Sequence, residues 1–135
     1  SNPYFNTFAG NPVSMAAAQA VLDYIREHDI LAHTHEMGEK LREAMRDVAS
    51  RHSQLSDVRG AGLFNGVEVV RPGTLEADRP FAVQLIEQLR ENRVLISLCG
   101  PYGNVLKVRP PLVFDDVDLD FFASALETSL EQLER

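Results

Sequence analysis

The 135-residue chain has a single cysteine, only two lysines and no long apolar run, and it is short of positive charge. With Cys99 alone, neither a disulfide framework nor a multi-thiolate zinc site can form within the chain. Lys and Arg number 13 against 20 Asp and Glu, for a net charge of −7, which argues against the clustered basic surface that nucleic acids and anionic membranes demand. No stretch approaches the roughly 18 apolar residues that span a bilayer, and no signal peptide is visible, so the expectation is a soluble, cytoplasmic protein. A chain of this length can bury roughly two thirds of its unfolded surface, enough for a core without staples.

The charge is unevenly spread. Seven acids lie between Asp115 and Arg135 against one base, Arg135 itself, and the rest of the chain is nearly neutral. Four of them (Asp115, Asp116, Asp118 and Asp120) crowd the start of an apolar-periodic segment containing Leu119, Phe122, Leu126, Leu130 and Leu133. Negative charge belongs at a helix amino end, so the cluster reads as a capped terminal helix. A calcium loop is excluded by the missing Gly turn and late Glu.

Along the chain, Pro3 to Pro12 reads as a loop running into a helix, with Asn11 as N-cap and Pro12 as first helical residue. Small and apolar positions at helical spacing (Ala16, Ala17, Ala20, Val21, Tyr24, Ile25) predict that one face of this helix is buried. After a break at His28 and Asp29, Leu31, Met37, Leu41, Met45 and Val48 predict a second amphipathic helix ending near His52. Gly38 inside it costs roughly 1 kcal/mol relative to Ala and marks a close contact. Val58 to Val70 reads as a strand pair or one bent strand, and Phe81 to Asn92 as a third helix. Val94 to Leu98 and Val105 to Val108 are short strands joined by the turn-rich stretch 99–104. The terminal helix follows Pro110 and Pro111. This order predicts an α+β fold, a small antiparallel sheet with helices packed on one face, preceded by a helical arm. The expected division is residues 1–52, a loop and helical arm, and 53–135, a small αβ domain.

Few residues carry chemistry. Gly60, Gly62 and Gly66 have the wrong spacing for a dinucleotide loop and precede a strand where they should follow one. His33 and His35 lie two apart on a helix, on different faces, so no metal site is expected and the four histidines read as solvent-exposed. No base can be located for Cys99, which reads as a half-buried bystander. The opening loop is richer: the Thr7 hydroxyl and the backbone N–H groups around Ala9 and Gly10, at a helix amino end, are what a phosphate needs.

The segments TFAGNP (Thr7 to Pro12), DVRGAGLFNGVEVV (Asp57 to Val70) and RVLISLCGPYGNVLKVRPPLVF (Arg93 to Phe114), with the helices between them, resemble the C-terminal portion of the class III, pyridoxal-phosphate-dependent aminotransferases. The resemblance runs from Tyr4 to the terminal helix. It is strongest, through NVLKVRPPL, to the branch holding alanine–glyoxylate aminotransferases and ethanolamine-phosphate phospholyases. It implies the small C-terminal domain of a fold type I enzyme using pyridoxal 5'-phosphate. Thr7 inherits a hydrogen bond to the cofactor phosphate of a neighbouring subunit, and Phe8 and Ala9 form the turn that presents it. Lys107 stands where several family members place an Arg that holds the substrate carboxylate, so a bidentate fork is replaced by a point charge. Arg59 and Arg109 are expected in structural salt bridges.

In the family, the lysine that holds the cofactor, the Asp on the pyridine nitrogen and the aromatic stacked on the ring lie upstream of the TFxGNP motif. Only Lys40 and Lys107 exist here, so no catalytic residue is expected in this chain. It reads as a C-terminal piece of an aminotransferase acting on amine and keto-acid substrates, inactive alone and prone to self-association through residues 4–25. Two alternatives stay open: a phospholyase acting on an amino-alcohol phosphate, and a non-catalytic αβ dimerisation or ligand-binding module.

Overall fold

A computed structural model describes residues 5–7 and 10–134. It divides into two compact units, residues 1–33 and 34–135. In the first, α1 (Pro12–Glu27) starts where expected: the Asn11 side chain accepts from the backbone N–H groups of Val13 and Ser14, at 3.0 and 3.2 Å, and Pro12 occupies the first turn. The helix ends at His28, whose ring lies 4.2 Å from that of Tyr24, and Asp29 turns the chain with φ 45°. The buried face expected of α1 is absent. None of its residues is buried, and Val13, Met15 and Val21 are more than half exposed. Cap, proline and alanine-rich composition suffice to form the helix, but no part of its own unit covers the apolar stripe.

The second unit takes in most of α2 (Ile30–Arg51), then β1 (Leu55–Ala61), β2 (Phe64–Val69), α3 (Arg79–Glu91), β3 (Ser97–Cys99), β4 (Val105–Val108) and α4 (Asp116–Leu133). The strands form one antiparallel sheet in the order β1-β2-β4-β3. Along β2 and β4, Val67, Val69, Leu106 and Val108 are buried while Gly66, Glu68 and Lys107 are partly exposed, so one sheet face is covered. The cover comes from Met37, Leu41, Met45 and Val48 of α2, Leu85 and Leu89 of α3, and Phe122, Leu126 and Leu130 of α4. From Met37 onward, the helix that the sequence groups with the arm is thus one wall of the αβ core.

Two details position the rest. Ala61 pairs with Phe64 across the two-residue turn Gly62–Leu63, with Gly62 at φ 50°. Gly38 on α2 lies so close to this turn that a Cβ there would sit 2.2 Å from the Gly62 carbonyl oxygen, which is the close contact its place in a helix implies. At the other end, Asp115 caps α4: its side chain accepts from Val117 and Asp118, and Asp118 reaches back to the Asp115 N–H, completing a capping box.

The strand expected over Val94 to Leu98 forms only from Ser97. Ser97 pairs with Lys107, so Ile96, Leu95 and Val94 would have to pair with Val108, Arg109 and Pro110. Proline has no N–H to donate, and with Pro111 it carries the chain away from the sheet. The two segments part there.

Candidate functional site

The parting of these segments opens a cleft of about 680 Å³, lined on one side by residues 93–97 and on the other by residues 107–111, with Phe114, Phe121 and Phe122 among the apolar groups. Three cations border it, Arg93, Lys107 and Arg109, against one carboxylate, Asp118, which is engaged in the α4 capping box. In an acidic chain this is a local inversion of charge. Among the described residues, none of the three cations makes an ion pair.

Lys107 is half-buried on β4. Register places it in a row across the whole sheet, Arg59, Gly66, Lys107 and Ser97, on the face away from the core. Directly opposed residues of antiparallel strands share a face, so Gly66 lies beside Lys107, and a Cβ at Gly66 would come within 3.1 Å of the Val105 side chain. Arg59 is occupied: it pairs with Asp57 and, at 2.9 Å, with Glu68. The salt bridge expected for Arg59 is therefore present. That expected for Arg109 is not, because its guanidinium lies 5.9 Å above the exposed Phe64 ring, a cation–π contact. The next pair along the register, Asn65 with Val108, explains the placement, since Phe64 and Arg109 each lie one residue beyond it.

Arg93 closes α3 in the left-handed region, with φ 67°. Its N–H donates to Arg90 O and that of Val94 to Leu89 O, the bonding of a Schellman motif with arginine where glycine is usual.

Thr7 lies exposed in a turn before α1; Phe8 and Ala9 lie outside the described residues. The helix end behind Thr7 has little left to offer an anion. Pro12 has no N–H, Val13 and Ser14 donate to the Asn11 side chain, and Met15 donates to the Asn11 carbonyl. The first amides of α1 are therefore already engaged. Lys40 is unsuited to hold a carbonyl cofactor. It donates to Asp116 at 2.9 Å and pairs with Glu36 at 3.0 Å, and these two hydrogen bonds raise its pKa, keeping it protonated.

Three side chains escape the sequence reading. His52 is buried rather than exposed; its Nδ1 lies 2.8 Å from Glu134 and its Nε2 3.1 Å from Glu127. Arg42 is buried and donates to the Gly62 carbonyl and the Asn65 side chain, holding the β1–β2 turn against α2. The clue was its place four residues after Gly38, on the apolar stripe. Cys99 is exposed rather than half-buried. No helix among the described residues is long and apolar enough to cross a membrane.

Comparison with known proteins matches residues 3–130 to the family model for class III aminotransferases. Ethanolamine-phosphate phospho-lyase homolog 1 of Caenorhabditis elegans is 38% identical over 98% of the chain, and this chain spans 29% of that protein. Alanine–glyoxylate aminotransferase 2 homolog 2 of Arabidopsis thaliana is 36% identical over 96% of the chain, which spans 28% of it. A phospholyase from Arthrobacter, solved with phosphoethanolamine, superimposes with a TM-score of 0.90 at 44% identity, over 96% of this chain and 31% of that one. The chain thus spans under a third of the length of these relatives.

Proposed function

Because this chain belongs to the class III aminotransferases, a family that uses pyridoxal phosphate, we propose that it acts within a longer, cytoplasmic, dimeric enzyme that moves an amino group from an amine or amino acid to a keto acid. The observation that supports this most directly is the family match over nearly the whole chain. The cofactor, when bound, supplies the electron sink for bonds at the amino carbon.

The chain's own residues have narrower tasks in this proposal. Thr7 donates its hydroxyl to the cofactor phosphate of the second subunit, with Asn11 holding α1 behind it. Lys107 binds the substrate's anionic end. The exposed apolar side of α1, with Val13, Val21 and Leu22, is covered by the rest of the enzyme or by the second copy.

A second reading, elimination of phosphate from an amino-alcohol phosphate, draws on the cleft's unpaired cations and on the phospholyases among the relatives. Assays of the full-length protein decide between them. Transamination gives product only with a keto acceptor, whereas release of phosphate and ammonia without an acceptor overturns the first reading. Thr7→Ala is expected to weaken cofactor retention, measured by dialysis and absorbance, and unchanged retention would remove Thr7 from the site.

A further inference from the structure

We propose that Asn65 is a guarded modification site, an amide that the fold keeps inert and that converts irreversibly to aspartate and isoaspartate when the β1–β2 turn opens.

Of the asparagines in the chain, only Asn65 is followed by glycine. Without a Cβ on the next residue, little hinders the following backbone nitrogen from closing on the side-chain carbon. In that step the Gly66 nitrogen bonds to Asn65 Cγ and gives up its proton. The Cγ–Nδ2 bond breaks, and ammonia leaves with the proton. The cyclic imide then takes up a water, which opens it at either carbonyl. One product is aspartate; the other is an isoaspartyl link in which the main chain runs through the side chain.

The folded chain withholds what this step needs. Asn65 is 4% exposed, on the core face of β2. Its Oδ1 accepts from Arg42 at 2.7 Å and its Nδ2 donates to the Gly62 carbonyl at 3.1 Å, so both ends of the amide are tied. A Cβ at Gly60 would lie 2.3 Å from Oδ1, which shows how little room the side chain has to swing. Strand β2 is paired on both sides, Asn65 with Gly60 and Val108, and Gly66 with Arg59 and Lys107. The peptide joining them therefore cannot turn its nitrogen over Cγ. The Arg42 charge draws electrons from the amide carbon and by itself favours attack, so the protection is geometric. Arg42 is the guard because one of its nitrogens, in a buried guanidinium, holds both the Asn65 side chain and the Gly62 carbonyl.

The products do not fit back equally. Aspartate keeps an oxygen for Arg42 but sets another against the Gly62 carbonyl, where Nδ2 donated. Isoaspartate lengthens the main chain inside β2 and puts Gly66 and Val67 out of step with Lys107 and Leu106. A transient opening thus leaves a lasting mark on the strand beside Lys107.

In the full-length protein, conversion is followed at mildly alkaline pH by peptide mass spectrometry, which reads ammonia lost and water gained and locates the change. In denaturant, Asn65 converts ahead of the other asparagines in residues 1–135, and Gly66→Ala, whose fold is then immaterial, slows it. Without denaturant, conversion falls with the population of the open turn. Arg42→Met removes charge-assisted hydrogen bonds at a buried site and is expected to convert about ten- to hundredfold faster than the wild type while still folded. Should that variant not fold, Arg42→Lys, which keeps the charge without the planar fork, takes its place with a smaller acceleration. Equal rates with and without denaturant, or earlier conversion at another asparagine, overturn the site. A folded Arg42 variant that converts at the wild-type rate overturns the guard. So does an acceleration that Leu126→Ala matches at equal overall stability, which assigns the protection to the fold as a whole.

Discussion

Helices α1 and α4 are made of similar material and are treated differently by the fold. Both begin with an Asn or Asp side chain on the first free amides, and both carry apolar residues at helical spacing. Yet α1 buries none of its 16 residues, while α4 buries six of 18, Leu126 and Leu130 completely. Periodicity tells which face of a helix wants to leave water; it does not say whether the covering surface lies in the same piece of chain. In α4 that surface is α3 and the sheet. In α1 the same signal points outward.

The comparison can be broken or sharpened by substitution in this chain. The largest effect is expected for Leu126→Ala, which empties a fully buried position and should destabilise the second unit by about 2–5 kcal/mol in chemical denaturation. Val21→Ala on α1 should stay within about 0.5 kcal/mol. Equal costs would show that α1 is buried after all. Next comes Gly38→Ala: its methyl would collide with the backbone at Gly62, for a loss of about 1–3 kcal/mol in the same measurement.

Caps give a finer contrast. Asp115→Ala should lower the melting temperature through a loss of about 1 kcal/mol. Asn11→Ala removes a similar bond from a helix that has no buried residue, and should register as faster amide exchange in the first turn of α1 with little change in melting. Arg93→Gly relieves a left-handed residue and should stabilise by about 0.5–1 kcal/mol; a loss instead would show that the arginine side chain holds α3 in place.

The smallest effect is a pH slope. At His52, burial pulls the pKa down, but hydrogen bonds to Glu134 and Glu127 outweigh it, and the net shift is upward. A raised folded pKa means that its stabilisation is complete below the unfolded value of about 6.5 and is lost as pH rises through the folded value. The amount is about 0–1 kcal/mol, as for other partly exposed ion pairs. His52→Gln should flatten that part of the stability–pH curve, and an unchanged curve would remove His52 as its source.

Local chemistry was readable where one residue decides the outcome. Asn11 before Pro12, and Asp115 with Asp118, announce helix starts because the capping side chain, backbone and helix lie within four residues of one another. Gly38 announces a close approach because nothing else justifies glycine in a helix interior. Less was readable where the partner is distant in sequence. The expected strand over Val94–Leu98 shrinks because Pro110 and Pro111 remove its partner. His52 meets carboxylates 75 and 82 residues away. Arg109 trades the expected ion pair for a ring on another strand. The candidate site was legible at Lys107, through its motif. The second cation beside it became visible only once register was known.

The short pairing that opens the cleft also bears on how this sheet avoids its own kind. Exposed strand edges invite further strands, and with them aggregation. Here one edge, β3, is only three residues long and is followed closely by Pro101, and the other, β1, is bent by an irregularity between Leu55 and Val58 and carries the charged pair Asp57 and Arg59. Neither offers a long flat ladder for another chain to copy. Among the described residues, exposed apolar surface is therefore offered by the side chains of α1 rather than by an open backbone ladder, so the fold keeps its stickiest surface away from its hydrogen-bonding edges.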